Sequence, residues 1–231
     1  MSAADALARA PEVVVFTRTT GYRHESIRDG VRALTELAAE QGLAVEHTED
    51  PSVFTAERLS GARLVVWLST SGDVLDAGQR EALGAWLRGG GAFAGVHAAS
   101  TAEPGWPEYE RIIGARFDSH PEVQSATVVV EDADHPSTSC LPDGWAPVDE
   151  WYDFTTNPRG RVRVLARVDE STYSGGKMGT DHPLVWSGTH GAGRTWSTAL
   201  GHEPRAYADP VFLAHLRGGL VSLLDDAAGS R

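Results

Sequence analysis

The stretch Gly89-Gly90-Gly91-Ala92-Phe93-Ala94-Gly95-Val96-His97-Ala98-Ala99-Ser100 constrains the fold more than any other. Upstream, Ala77–Arg88 reads as an amphipathic helix, with Leu83, Trp86 and Leu87 recurring at helical spacing. The three glycines end it, because glycine takes the left-handed position past a helix terminus without steric cost. Ala92–Val96 is then short, apolar and uninterrupted, as expected of a strand covered by helices on both faces. His97 follows directly, among small residues. In open α/β sheets ligands bind beyond the carboxyl ends of strands, so a histidine there can meet a substrate or a metal. The plainer alternative is a histidine that only caps a core strand.

The preceding chain repeats the same unit. Glu12–Thr17 is a β-branched run and reads as the first strand. Glu25–Gln41 carries Ile27, Val31, Leu34, Leu37 and Ala38 on one helical face, and Gly42 closes it. Leu43–His47 and Ala62–Leu68 are further strands, with a short helix at Phe54–Leu59 opened by Ser52 or Thr55. This alternation predicts right-handed crossovers, four parallel core strands and a three-layer α/β/α architecture.

After Ser100 the rhythm changes. Tyr109–Ile113 is a short helix, and Arg116–Pro121 and Val123–Glu131 are extended. Trp151–Phe154, Val162–Val168, Leu184–Trp186 and Thr195–Leu200 read as strands, and Asp209–Leu224 as a closing helix. Gly191-Ala192-Gly193-Arg194 is a hairpin turn in which glycine supplies positive φ. Lacking intervening helices, the late strands should extend the sheet or form an appended antiparallel layer. The expectation is one domain over 1–231, with its core at about 12–224 and loose termini at 1–10 and 225–231.

Composition narrows the class. The net charge of −12 argues against a nucleic-acid or anionic-membrane surface. No apolar run approaches the roughly 18 residues that span a bilayer. The single cysteine, Cys140, excludes an intramolecular disulfide framework, and residues 1–10 lack the pattern of a signal peptide. A cytoplasmic protein follows as the expectation. No G-x-G-x-x-G follows the first strand and no P-loop occurs, so nucleotide binding is not supported.

Several histidines fall at element ends: His24 after the first strand, His97 after the fourth, His120 before Pro121, and His202 after Thr195–Leu200. Glu150 lies in Asp149-Glu150-Trp151-Tyr152, at the opening of another strand. Imidazole titrates near neutrality, and three or four with one carboxylate would suit zinc, manganese, iron or nickel. The spacing matches no local zinc signature. Three readings stay open: a metal centre, a metal-free polar cluster, or unrelated capping and surface histidines. His47, His135, His182, His190 and His215 have no such placement and read mostly as surface or helix-face residues. Tyr22 and Arg23 offer a stacking face and an anion contact, or simply a solvated loop. Trp67, Trp86 and Trp196 fit core patterns, whereas Trp106, Trp151 and Trp186 lie where an aromatic can pack on a sugar ring.

Taken together, Thr20-Gly21-Tyr22-Arg23-His24-Glu25-Ser26-Ile27, Gly95-Val96-His97-Ala98-Ala99, Ile113-Gly114-Ala115-Arg116-Phe117 with His120-Pro121, Asp149-Glu150-Trp151-Tyr152, His182-Pro183-Leu184-Val185-Trp186 and Ala199-Leu200-Gly201-His202 resemble the ThuA-like (trehalose-utilisation) family. The resemblance covers about Glu12 to Leu224. It implies the flavodoxin-like fold of the class I glutamine amidotransferases, with extra C-terminal strands. Those enzymes keep a nucleophilic cysteine on a G-x-C-x-G elbow, where this chain has His97. Cys140 lies far along the chain, so cysteine-dependent glutamine hydrolysis is not expected.

The resemblance further implies a role in the use of trehalose- or sucrose-type disaccharides or their 3-keto derivatives, as a hydrolase, lyase or isomerase. A non-catalytic sugar-binding or regulatory module is the alternative. On the catalytic reading, His97, Glu150 and His24 carry the chemistry. His24, His97, His120 and His202 would hold a divalent metal such as zinc, and Tyr22, Arg23 and Trp151 would hold the sugar. The partners expected are this small-molecule sugar and, for the protein itself, a homo-oligomer.

Overall fold

A computed structural model describes residues 11–224 of the chain. The termini expected to be loose, 1–10 and 225–231, lie outside the described residues. The elements run β1 (Val13–Phe16), α1 (Ile27–Glu40), β2 (Val45–Thr48), α2 (Ala56–Leu59), β3 (Leu64–Leu68), α3 (Ala77–Arg88), β4 (Ala92–Val96), α4 (Pro107–Ile113) and β5 (Phe117–Ser119). They continue with β6 (Gln124–Ser125), β7 (Val128–Val130), β8 (Val148–Asp149), β9 (Asp153–Phe154), β10 (Arg163–Val168), β11 (Pro183–His190), β12 (Gly193–Thr198) and α5 (Pro210–Leu224).

Among the described residues, the main sheet runs β2-β1-β3-β4-β12-β11-β10-β7. Strands β2, β1, β3, β4 and β12 are parallel, and β11, β10 and β7 continue antiparallel. The first four follow from helical crossovers, which return the chain to the same end of the sheet. The β11–β12 hairpin turns on Gly191, at φ 62°, and runs antiparallel as a tight turn must. It delivers β12 alongside β4. The expected late extension of the sheet is therefore present, and its innermost member completes a five-stranded parallel core in flavodoxin-like order.

Period-two alternation explains why the core strands are apolar throughout. Val13, Val15, Leu64, Val66, Leu68, Ala92 and Ala94 pack with Leu34 and Leu37 of α1 and Leu216 and Leu220 of α5. Their neighbours Val14, Phe16, Val65, Trp67 and Phe93 pack on the other face with Leu83 and Leu87 of α3 and Tyr109 and Ile112 of α4. Each face needs its own apolar set, so every position on these strands is buried. No described helix is long and apolar enough to cross a membrane.

Local chemistry sets the element ends. Asp76 and Gln79 form a reciprocal capping box at the start of α3. Gly90, at φ 114°, ends that helix. The short helix α2 is capped by Thr55, while Ser52 lies instead in a 3-10 turn capped by Asp50. Trp106, Trp151 and Trp186, expected near a sugar, are 8%, 0% and 2% exposed and belong to the core.

Three of the histidines read as surface or helix-face residues are buried: His135, His182 and His215. His215 sits on the inner face of α5, its Nδ1–H donating to the Ser137 carbonyl at 2.6 Å and its Nε2 accepting from the Thr198 hydroxyl at 3.1 Å. Neutral imidazole satisfies both partners, and burial pushes the pKa down to about 4. Burial likewise pushes His135, whose Nδ1 accepts from the Ser137 backbone N–H, down to about 4. An unfolded histidine titrates near 6.5, so between there and pH 4 the unfolded chain binds more protons, and stability is lost as pH falls through that window. Urea unfolding should show each histidine removing about 2 kcal/mol between pH 7 and pH 5. His215→Gln, which can hydrogen-bond without titrating, should flatten that dependence. An unchanged slope in the variant would refute the assignment to His215.

Candidate active site

Four parallel strands deliver the site to one sheet edge. His24 follows β1, Ser69–Asp73 follows β3, His97 follows β4 and His202 follows β12. The strand order reverses between β1 and β3, the usual ligand position in such sheets, with the ends of β4 and β12 next along the same edge. Glu150 arrives separately, from the connection between β8 and β9. Asp149 ties the two parts together, its carboxylate accepting from the backbone N–H groups of Gly201, His202 and Glu150. Burial raises the Asp149 pKa, against the opposing pull of His97 and these N–H donors.

His97 occupies an elbow. Its φ of 53° is left-handed, a region that non-glycine residues seldom enter and one that concentrates at functional sites. Gly95 lets the strand end pack closely, because a Cβ there would run into Ile113 Cδ1. His97 Nδ1–H donates to the Ala199 carbonyl at 2.8 Å. Its Nε2 then faces three groups: His24 Nε2 at 3.1 Å, the Tyr152 hydroxyl at 3.0 Å and Glu150 Oε2 at 3.3 Å.

The other members close around the same oxygen. Glu150 Oε2 is 3.6 Å from His24 Nε2 and 3.0 Å from His202 Nδ1, and Oε1 is 3.4 Å from His120 Nε2. One donor atom from each of His24, His97, Glu150 and His202 lies within 4.8 Å of the others. His202 Nδ1 is buried and makes no hydrogen bond despite its closeness to Glu150, and His24 Nδ1 is also buried without a partner. A tetrahedral zinc with ligand bonds near 2.0–2.1 Å separates its donor atoms by about 3.3–3.4 Å. The four donors thus fit a divalent transition metal in number, type and spacing. The Ala199 carbonyl behind His97 is the kind of outer partner that orients a ligating imidazole.

Electrostatics agree with this fit. Burial lowers the His24 pKa, and His97 lowers it further against the pull of Glu150, the direction that favours the lone pair a metal ligand must offer. Burial pushes Glu150 upward, but His202, His24 and His97 more than offset it and hold the carboxyl far below its usual range. His202 runs the other way: burial lowers its pKa, yet the Glu150 carboxylate beside it reverses this into a net rise. Burial, with the Glu150 and Asp149 charges, holds the Tyr152 phenol well above its usual pKa.

Beside the cluster opens a cavity of about 630 Å³, within the range of small-molecule sites. Its walls include Tyr22, His24, Phe117, His120, Glu150 and Tyr152, with Ser71 and Thr101 as further polar groups. His97 and His202 do not line it; both contact Glu150 Oε2 instead. Tyr22 stands 69% exposed at the rim.

Two residues expected to hold a sugar are turned away, for one reason. In extended chain, neighbours face opposite sides. Tyr22 and His24 face the cavity, so Arg23 points outward to Glu49 at 2.7 Å. Glu150 and Tyr152 face it, so Trp151 enters the core and donates its indole N–H to the Gln124 carbonyl. That alternation was the available signal for Tyr152, which the sequence reading left out of the site. His182, read as a surface or helix-face residue, is buried, and its Nε2–H donates to the Tyr152 carbonyl at 2.9 Å. With Asp153 and Glu170 it forms a second group of potential ligands among the described residues.

Comparison with known proteins places this arrangement. A ThuA-like protein from Bacteroides uniformis superposes with a TM-score of 0.77 at 22% identity, over 95% of this chain and 94% of that one. A ThuA-like protein from Parabacteroides merdae gives 0.73 at 23% identity, over 92% and 90%. The β-galactosidase of Bacillus circulans sp. alkalophilus matches at 0.58 and 14% identity, over 96% of this chain but 31% of the enzyme, which extends the likeness to a domain of a larger protein. These similarities establish the fold. No curated protein sequence matches the chain. The family model for ThuA, described as trehalose utilisation, matches residues 12–221, and the chain belongs to that family.

Proposed function

We propose that this protein is an enzyme acting on a trehalose- or sucrose-type disaccharide in its 3-keto form, with a divalent metal such as zinc held by His24, His97, Glu150 and His202. The observation that carries the reading is the convergence of these four donors beside a cavity of small-molecule size. Tyr22, Phe117 and Tyr152 offer aromatic faces for the apolar side of a sugar ring, and Ser71 and Thr101 offer hydroxyls. The family name supplies the link to trehalose.

Cleaving or isomerising a keto sugar requires a proton to leave the carbon next to the carbonyl and the resulting enolate to be stabilised. A bound divalent metal supplies Lewis-acid polarisation of the carbonyl oxygen. His97 does not line the cavity, which suits a ligand better than a group that touches sugar directly. His120 is the residue placed to take the proton. Its Nδ1–H donates to the Pro121 carbonyl at 2.8 Å, leaving the Nε2 lone pair available at the cavity wall. Glu150 Oε1, 3.4 Å away, stabilises the imidazolium that results.

Elemental analysis of the purified protein, paired with a turnover screen of trehalose, sucrose and their 3-keto forms, tests the proposal. One metal equivalent per chain and turnover of a keto form are expected. Absence of both would refute it. Sugar binding without turnover would favour a non-catalytic module, a reading motivated by the histidine at the elbow position where related enzymes carry cysteine.

A further inference from the structure

We propose that the Tyr152 hydroxyl competes with the metal for His97 Nε2 and, once displaced, becomes the hydrogen-bond donor to a substrate oxygen. The inference rests on the metal reading above. A neutral imidazole nitrogen has one lone pair. With Nδ1–H committed to the Ala199 carbonyl, that lone pair on Nε2 accepts from Tyr152 Oη at 3.0 Å, with His24 Nε2 also in reach at 3.1 Å. A metal ligated by His97 needs the same lone pair. Both partners cannot be served together, so loading the metal releases the phenol O–H.

The geometry directs where the released hydroxyl turns. Tyr152 is 2% exposed, and its ring stacks on His97 at 4.6 Å between centroids and packs edgewise on Phe117 at 4.5 Å. At its other end, the Tyr152 carbonyl is held by His182 Nε2–H. Ring and backbone are therefore fixed, and only the O–H can rotate. Tyr152 lines the cavity with Glu150 and His120, so an oxygen of a bound sugar beside the metal is within its reach. With Glu150 also engaged as a ligand, the incoming sugar brings the new acceptor.

Tyr152→Phe keeps both ring contacts and removes only the hydroxyl. Zinc affinity is measured by competition with a chelating dye, and turnover on the sugar identified in the screen. The variant should bind zinc roughly two- to tenfold more tightly, since one competing hydrogen bond is gone. Turnover at saturating zinc should fall on the order of a hundredfold, as for loss of one oxyanion donor. Tyr152→Leu, which also removes the stack, separates structure from chemistry. A purely structural role predicts weaker zinc binding in both variants, and that result would overturn the proposal, as would unchanged affinity in Tyr152→Phe. Tighter zinc with undiminished turnover would overturn the hand-over to substrate. Failure of the wild type to bind zinc would instead refute the metal reading, and this inference with it.

Discussion

Replacing Glu150 by glutamine should abolish stoichiometric zinc binding and reduce turnover of the keto sugar at least about a hundredfold. Glu150 is the single carboxylate of the four-donor group, and its Oε2 lies 3.0–3.6 Å from His202, His97 and His24. Glutamine preserves shape but leaves three imidazoles without the anion that neutralises a dication. Losing even an outer partner of a metal ligand costs about 10- to 100-fold in affinity, and a ligand should cost more. His97→Ala should behave alike, because the left-handed elbow presents Nε2 to the same point. His120→Ala should separate the roles: zinc stays bound while turnover falls by a similar factor, since His120 reaches Glu150 Oε1 but lies outside the four-donor group. Zinc content and rate measured on all three variants decide the matter. Full activity in folded Glu150→Gln, or loss of zinc in His120→Ala, would remove the assigned mechanism.

The largest stability effect is expected at Gly218, on the inner face of α5. Helix propensity alone favours alanine there by about 1 kcal/mol. Packing opposes it: an added Cβ would collide with the Pro136 carbonyl group and lie 2.6 Å from Ser137 Cα. These are backbone atoms that cannot rotate away. The same loop is pinned by His215 on the Ser137 carbonyl and by the Trp196 indole N–H on the Ser137 hydroxyl. Relief therefore means moving α5 off the sheet. Gly218→Ala should lose at least about 2 kcal/mol net, a drop of roughly 4–8 °C in Tm for a chain of this size. Gly160, with nothing within 4 Å of an added Cβ and no positive φ, is the control, expected to change by less than about 0.5 kcal/mol on substitution by alanine. Equal melting temperatures for the two variants would contradict the packing argument.

What could be read from residue order was whatever depends on near neighbours. Ala77–Arg88 and Ala92–Val96 have the same limits in the structure as in the pattern, because capping, glycine termination and apolar runs are local. The parallel start of the sheet follows from crossovers long enough to return the chain. The positions of His24, His97 and His202 at strand ends follow equally, since strand and turn are contiguous. Tertiary structure alone decided three further matters. It inserted β12 beside β4, a pairing between segments about a hundred residues apart that no local periodicity encodes. It brought Glu150 to the imidazoles through Asp149 and the backbone of Gly201 and His202. It also buried His182 and His215, whose partners Tyr152, Ser137 and Thr198 come from distant elements. Arg23 and Trp151 fall between the two cases: period-two alternation turns them from the cavity, but only the docked sheet edge shows which side of the chain the cavity is on.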